Sequence, residues 1–356
     1  MKITEIKLQR LNLPLSVPYK VAHRTHLFFT PFVVRMHSGN DHVGWGEVYI
    51  SPGYTEETEK GAWQFCQSAA QSSVGQEAAH IRTRVMEKAA DSPGAASALL
   101  TALDMLEQHP LLQIKTSTRV PLLAPCQGSE PEEVQREVDR LIKEGFKTLK
   151  VKVGFDVEKD LARLRLIQKT VGNRATIRLD ANRGYNQAQG CAFASQIDPQ
   201  GIELFEQPCG SHEWESNAAV AKVSTVPVML DESIYDERDI DRAATMPGVG
   251  FVKLKLKKMG SIDMLHSALQ KIRNLGMEPV LGDGVSMEIG CWMEACVARS
   301  TITNAGEMNG FLKPKTRILA NPLIFAHGAI ELPAHYWPKL NEELFHQHMI
   351  QEEIFR

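Results

Sequence analysis

No stretch of this 356-residue chain approaches the roughly 20 consecutive apolar residues of a membrane-spanning helix. No Cys-x-x-Cys pair occurs: Cys66, Cys126, Cys191, Cys209, Cys291 and Cys296 are scattered along the sequence. That spacing excludes a disulfide framework and a cysteine-ligated zinc site, and it reads as reduced, mostly buried thiols. Neither sign of charge dominates, with 40 Lys+Arg against 43 Asp+Glu and a formal net charge of -3. Nucleic acid and acidic membrane are therefore not expected as partners. The first residues, Met1-Lys2-Ile3-Thr4-Glu5-Ile6, lack the apolar core of about 7–15 residues that a signal peptide needs, so a cytoplasmic location is expected. Hydrophobic residues make up 43% and charged residues 23%, close to globular averages of about 45–50% and about 25%, which excludes disorder as the dominant state.

The length suggests two domains, or one barrel with an appendage. Up to about residue 60 the pattern is strand-like: Lys2 to Leu13 alternates, Pro31 to Met36 reads as a strand, and Ser38-Gly39-Asn40-Asp41 marks a turn before Val43-Gly44-Trp45-Gly46-Glu47. Residues 56–118 are rich in Ala, Glu, Gln and Leu and predict helices, giving a segregated α+β unit. From Val120 short apolar runs recur about every 25 residues. They are Val120–Ala124, Thr148–Val153, Ala175–Asp180, Ile202–Glu206, Val226–Asp231, Phe251–Leu256 and Glu278–Asp283, with a weaker eighth near Ile302–Met308. Amphipathic segments separate them. Glu132–Lys143 carries Val134, Val138, Leu141 and Ile142 at helical spacing, with Ser129-x-x-Glu132 as a capping box and Gly145 as a stop, and Asp160–Val171 repeats the pattern. Strand then helix, eight times over, predicts a parallel (β/α) barrel. The rival doubly wound sheet lacks its Gly-x-Gly-x-x-Gly after the first strand.

Functional side chains of such a barrel sit at the C-terminal ends of the strands. Here those ends carry Lys150 and Lys152, then Asp180, Glu206, Asp231, Lys255 and Asp283. Asp180, Glu206 and Asp231 end three consecutive strands, 26 and 25 residues apart. Each could merely cap the following helix, but three at one repeat phase would repel strongly without a cation. Oxygen-only ligation favours a hard ion of the Mg²⁺ type. Strands two and six lie opposite in an eight-stranded ring, so Lys152 and Lys255 should face one another across a pocket edged by the metal. A neighbouring divalent cation favours a neutral amine able to act as a base; the alternative is lysines simply ion-paired with the rim carboxylates.

These residues resemble the enolase superfamily, specifically its muconate-lactonizing subgroup within the mandelate racemase/muconate lactonizing enzyme family. Thr148-Leu149-Lys150-Val151-Lys152-Val153-Gly154 is similar to its Lys-x-Lys motif, and Leu179-Asp180-Ala181-Asn182, Phe205-Glu206-Gln207-Pro208 and Leu230-Asp231-Glu232-Ser233 to its three metal-ligand motifs. Val252 to Gly260 resembles the sixth-strand lysine motif, and Gly44-Trp45-Gly46-Glu47 with Ser51-Pro52-Gly53-Tyr54-Thr55 resembles the capping domain and its substrate-covering loop. The resemblance implies an α/β fold: a modified TIM barrel, (β/α)7β, over residues 119–330, with an N-terminal α+β capping domain over 1–118 completed by a C-terminal segment, 331–356. It implies Asp180, Glu206 and Asp231 as Mg²⁺ ligands, with Mn²⁺ as a substitute, and Lys152 and Lys255 as an acid/base pair. Lys150 would hold the substrate carboxylate. Asp283 and Glu307 at strand ends, and His23 and Tyr54 in the covering loops, are the further expected substrate contacts.

The expected activity is abstraction of the proton α to a carboxylate, giving a metal-stabilised enediolate. A base on each face favours racemisation or epimerisation of an amino-acid-like acid by a homo-oligomer. Syn β-elimination by a dehydratase and cycloisomerisation are the alternatives, and a non-catalytic binding barrel or a phosphate-binding barrel is more distant. The mandelate-racemase branch would need His on strand seven and Asp on strand six, where this chain has Asp283 and Lys255. The chain departs from the family pattern at Gly260-Ser261, at Lys253 in place of a frequent Asn, at Glu307-Met308-Asn309 in place of the Asp-x-Asp of dipeptide epimerases, and in its Tyr336-Trp337-Pro338-Lys339-Leu340 tail. His335, His346 and His348 show no ligand spacing, and Trp292 and Met293 read as core.

Overall fold

Alternating apolar residues at the N-terminus build β1 (Ile3–Leu11), β2 (Leu13–Val21), β3 (Arg24–Phe29), β4 (Phe32–Ser38) and β5 (Val43–Val48) in the computed structural model, which describes residues 1–21, 24–39 and 42–356. β1, β4 and β5 form an antiparallel sheet and β2–β3 a separate hairpin. Three helices follow, α1 (Glu59–Ser73), α2 (Ala78–Glu87) and α3 (Pro93–Leu106). α3 is apolar nearly all round and is buried from Gly94 to Leu106, as a helix wedged between two layers must be. It links the cap to the rest of the chain: Ser97 Oγ donates to the Leu256 carbonyl (3.2 Å), and Asp104 accepts from the Ile262 amide (2.9 Å) and Arg82 (2.7 Å).

After β6 (Thr118–Pro121) come seven parallel strands: β7 (Ala124–Cys126), β8 (Thr148–Lys152), β9 (Thr176–Asp180), β10 (Ile202–Glu206), β11 (Val228–Leu230), β12 (Val249–Leu254) and β13 (Glu278–Leu281). The sheet curls, and the expected eighth strand appears as a bridging segment with no strand of its own. Gly306 N donates to the Pro121 carbonyl (2.9 Å) and the Gly306 carbonyl accepts from Leu123 N (2.9 Å), while Glu307 N donates to the Leu281 carbonyl (3.0 Å). The two edges are thereby joined, and Leu204, Met229 and Val280, with Phe251 against them, plug the interior.

Two local expectations are corrected. The run Val120–Ala124 is divided: β6 ends at Pro121, which has no N–H to continue a ladder, and β6 pairs antiparallel with β15 (Ala329–Leu332), itself hairpinned to β14 (Ile324–Ala326). No capping box forms at Ser129. The helix starts at Pro131 with Glu130 as N-cap and no side-chain cap bond, because proline at the first position pre-sets φ and has no amide to satisfy. The second amphipathic segment forms a helix at Val157–Val171, capped by Asp156. The C-terminal β16 (Met349–Phe355) returns to pair with β1, making the cap sheet β16-β1-β4-β5. The six cysteines are unpaired and all but Cys191 are buried. Among the described residues no helix is long and apolar enough to cross a membrane.

The Gly44-Trp45-Gly46-Glu47 motif has a steric explanation. β5 lies so close to α3 that a Cβ on Gly46 would fall 1.9 Å from the Ala98 carbonyl oxygen, and one on Gly44 2.0 Å from that of Ala102. Glu47 then reaches across to the helix Glu288–Thr301, where one carboxylate oxygen accepts the Gly290 amide (2.9 Å) and the other, Oε2, has no hydrogen-bond partner. Burial pushes its carboxyl up to about 8, against the smaller opposing effect of the helix amides.

Two outcomes follow from this packing. Gly46→Ala is expected to cost about 3 kcal/mol in chemical denaturation, because backbone rather than a flexible side chain blocks the new methyl; a loss below about 1 kcal/mol would mean the layer yields. With Glu47 raised from the ordinary 4.5 to about 8, the folded protein keeps a proton that the unfolded chain releases, so its stability falls as pH rises through that window. Glu47→Gln removes this titration, and its thermal midpoint should fall less steeply between pH 4.5 and 8. Equal slopes in the two proteins would remove Glu47 from the pH response.

Candidate active site

Parallel register brings the expected residues together. Lys152 is level with Asp180, Asp180 with Glu206 and Glu206 with Met229, two residues before Asp231. Because side chains alternate across a strand, Lys150 shares the inward face with Lys152, and Lys253 shares it with Lys255. Lys255 lies just past β12, as the first turn of a short helix, Leu256–Met259, begins. The side chains of Lys150, Lys152, Asp180, Asp231, Lys253 and Lys255 line one cavity of about 120 Å³, together with Tyr54, Asp283 and Glu307. Glu206 lies beneath them, 1% exposed, between Lys150 (2.9 Å) and Lys253 (3.1 Å).

The cavity floor alternates in charge. Lys150, 3% exposed, reaches Asp180 (2.7 Å), Glu206 (2.9 Å) and Glu307 (2.9 Å). Lys253 contacts Glu206, Asp231 (3.6 Å) and, closely, Glu307. Lys152 donates to Asp180 (2.6 Å) and to Asn182, and Lys255 to Asp231 (2.8 Å). Thus Lys152 and Lys255 occupy the two flanks of the three carboxylates, each hydrogen-bonded to the outer one on its side. Ion pairing of the lysines with rim carboxylates, the plainer sequence reading, is what these side chains adopt here.

The electrostatic consequences differ by position. Burial works to raise Asp180, but Lys150, Lys152 and Lys253 outweigh it and hold its carboxyl down at about 2. At Glu206 burial and the adjacent Asp180 charge prevail, pushing the carboxyl up to about 7. Burial opposes the charged form of Lys255, yet Asp231 and its neighbours hold the amine above its ordinary value.

The cap supplies a cover. Tyr54 donates its hydroxyl to Asp231 (2.8 Å) and accepts from Lys255 (2.5 Å), and its ring lies 3.8 Å from the Lys255 amine. Arg183 donates to the Gly53 carbonyl (2.9 Å), fastening that loop to the barrel mouth. Asp283 pairs with Lys257 (2.8 Å), which holds its carboxyl below the ordinary range despite burial. His23, expected in the covering loop, lies outside the described residues.

Several participants escaped the sequence reading. Lys258 donates to the Asp231 carbonyl (2.6 Å) and the Ile234 carbonyl (2.9 Å), and burial brings its amine down to about 8. Simple strand alternation would turn Lys258 away from the mouth. The switch to helix at Leu256 turns it in, and the only available signal was the charge of the run Lys255-Leu256-Lys257-Lys258. Glu232, bonded by Asn182 (3.1 Å), was hidden beside Asp231 in one motif.

A hard divalent cation fits the donor set. Asp180, Glu206 and Asp231 offer only oxygens, are 0%, 1% and 2% exposed, and end adjacent strands. Glu206 Oε2 is buried with only the Lys150 amine beside it (2.9 Å), and of the three carboxyls its own is the one most resistant to ionising in the present charge balance. Among the described residues no three such side chains already converge at ligand geometry; each is turned onto a lysine amine.

Comparison with known proteins bears on the family and the fold. The family model for the enolase C-terminal domain-like family matches residues 133–336, over half of the chain. The L-Ala-D/L-Glu epimerase of Bacillus subtilis (strain 168) is 28% identical over 351 residues, covering 94% of this chain and 95% of that protein. The N-succinyl-L-Arg/Lys racemase of Bacillus cereus is 24% identical, covering 84% of this chain and 82% of that protein. The crystal structure of a dipeptide epimerase from Cytophaga hutchinsonii, complexed with Mg and the dipeptide D-Ala-L-Val, superposes with a TM-score of 0.90 over 100% of both chains at 22% identity. With its barrel, its cap and this matched region, the chain belongs to the enolase C-terminal domain-like family.

Proposed function

We propose that the protein is a Mg²⁺-dependent racemase or epimerase that moves the proton α to the carboxylate of an amino-acid-like acid. The observation that carries this reading is the pair of amines, Lys152 and Lys255, on opposite flanks of three buried carboxylates. The relatives agree in kind, being an epimerase and a racemase.

Asp180, Glu206 and Asp231 would hold Mg²⁺, which supplies positive charge to a carboxylate that gains electron density as its α-proton leaves. Lys152 takes the proton from one face of the α-carbon and Lys255 returns one to the other, and the roles reverse for the opposite enantiomer. Tyr54 keeps Lys255 in place by its hydroxyl, and the loop it belongs to limits water at the mouth. Lys150 is proposed to orient the substrate carboxylate from below, and Lys258 to position Asp231 through its backbone carbonyl. Mn²⁺ is expected to replace Mg²⁺, since the donors are hard oxygens without a nitrogen or sulfur preference.

Two measurements test this. Glu206→Ala removes one of three anionic donors and is expected to abolish measurable Mg²⁺ binding in calorimetry; binding like that of the parent would reject the ligand assignment. In D₂O, N-acylated amino acids and dipeptides should acquire deuterium at the α-carbon, because lysine ammonium protons exchange with solvent. Lys255→Met should stop racemisation yet leave exchange of the one enantiomer that Lys152 serves, with Lys152→Met showing the mirror result. Racemisation without deuterium uptake, or full turnover in both variants with unchanged circular dichroism, would reject the two-lysine mechanism.

A further inference from the structure

The two lysines assigned to proton transfer are anchored differently in the backbone. Lys152 lies within β8, level with Asp180, and the ladder continues past it, with Val153 N donating to the Asp180 carbonyl (2.9 Å). Arg163 also holds the Lys152 carbonyl (2.8 Å). Lys255 lies beyond its ladder, because β12 ends at Leu254 and the helix Leu256–Met259 begins immediately after it. The first amides of a helix have no partner within that helix, so the Leu256 amide needs one from elsewhere. The Asp283 amide, past the end of β13 at Leu281, is in the same position.

One side chain takes both amides. Glu294, on the helix Glu288–Thr301 and 1% exposed, accepts the Leu256 amide through one carboxylate oxygen (2.9 Å) and the Asp283 amide through the other (2.9 Å). Ser97 of α3 donates to the Leu256 carbonyl (3.2 Å), so the residue after Lys255 is held at its amide and at its carbonyl. Lys257 pairs with Asp283 (2.8 Å) and ties the same two segments a second time. Gly290, whose amide is accepted by Glu47 of the cap (2.9 Å), lies four residues before Glu294 on the same helix face. One carboxylate thus fixes this helix to the cap sheet and another fixes it to the strand ends. Burial, reinforced by the Asp283 charge, pushes the Glu294 carboxyl up to about 7, so an acid is unfavourable at this place. An apolar side chain would avoid that penalty but would leave two buried amides unpaired.

We propose that Glu294, with Ser97 opposite it, is a positioning residue that sets the backbone position of Lys255 and leaves that of Lys152 untouched. This rests on the α-proton reading above and adds a residue to it. Its consequence is directional. The two lysines serve opposite faces of the α-carbon, so slackening the backbone of one slows proton removal from one enantiomer only. A misplacement of about 1 Å can cost on the order of a hundred-fold in rate. A general loosening of the mouth would instead slow both enantiomers.

The test uses the intact Mg²⁺-loaded enzyme in D₂O with the separate enantiomers of N-acetylalanine and N-succinylalanine and the L,L and L,D forms of alanylalanine. The form served by Lys255 is the one that still exchanges its α-proton in Lys152→Met. Glu294→Gln keeps the side-chain shape but sets an NH₂ group against one of the two amides. It is expected to slow deuterium uptake by the Lys255 form about ten- to a hundred-fold, in kcat rather than KM. Uptake by the Lys152 form should stay within about two-fold of the parent, which also reports an intact fold. Equal loss for both forms, loss confined to the Lys152 form, or no loss for either would overturn the proposal. Should Glu294→Gln fail to fold, Ser97→Ala decides: a bias of about three-fold against the Lys255 form supports the clamp, and equal rates reject it. If the parent exchanges the α-proton of none of these compounds, the acid/base reading fails for them, and amide hydrogen exchange judges the clamp by itself. Faster exchange over residues 254–260 and 282–286 in Glu294→Gln, with 150–154 unchanged, supports it, and unchanged rates reject it.

Discussion

Five buried carboxylates at one mouth of a barrel are the constraint on which this structure turns. Asp180, Glu206 and Asp231 are almost wholly removed from water, with Asp283 and Glu307 beside them. Charges so close in a low-dielectric interior repel by several kcal/mol unless cations stand between them. Lysines from two strand ends, Lys150 and Lys152 at β8 and Lys253, Lys255 and Lys257 at β12, fill those places. The same arrangement places amines on both flanks of the three carboxylates. Pairing is unequal, however. Glu206 remains the carboxylate hardest to ionise although two amines touch it, because Asp180 lies beside it and burial is complete.

The cap is fastened to this mouth by contacts of different kinds. Steric fit brings β5 against α3 at Gly44 and Gly46, leaving no room for a methyl group. α3 in turn docks on the barrel through Ser97 and Asp104. Glu47 caps a barrel helix from the cap sheet, so a titrating group sits within the interface. Finally the 51–55 loop lowers Tyr54 onto Asp231 and Lys255, with Arg183 holding its backbone. Packed layers thus carry the loop, and the loop carries one polar tip onto the carboxylate–lysine cluster.

Part of the rim is less regular. The strands impose Lys152, Asp180, Glu206 and Asp231 on a common level through parallel register, whereas the segments around residues 283–285 and 306–313 have no strand ladder to dictate side-chain direction. Lys253 and Glu307 both depart from the pattern this chain resembles, and they meet in one contact. A lysine there neutralises the acid opposite, so each departure accounts for the other in charge.

By itself the sequence determined the repeating strand–helix order, the barrel, and the carboxylate and lysine residues at its strand ends. These are legible because periodicity is local: alternation fixes the face of Lys150 and Lys152, and a repeat of about 25 residues fixes which ends are neighbours. Tertiary structure decided what depends on chain segments far apart. The eighth segment joins the edges without its own strand, because its bonds go to Pro121, Leu123 and Leu281. β6 leaves the barrel for β15, a partner some 200 residues away that no local pattern announces. The helix beginning at Leu256 turns Lys258 toward Asp231, against the alternation that would send it outward. Which lysine faces which acid follows from packing across the mouth, since long-range pairing of charges is set by three-dimensional distance and not by spacing along the chain.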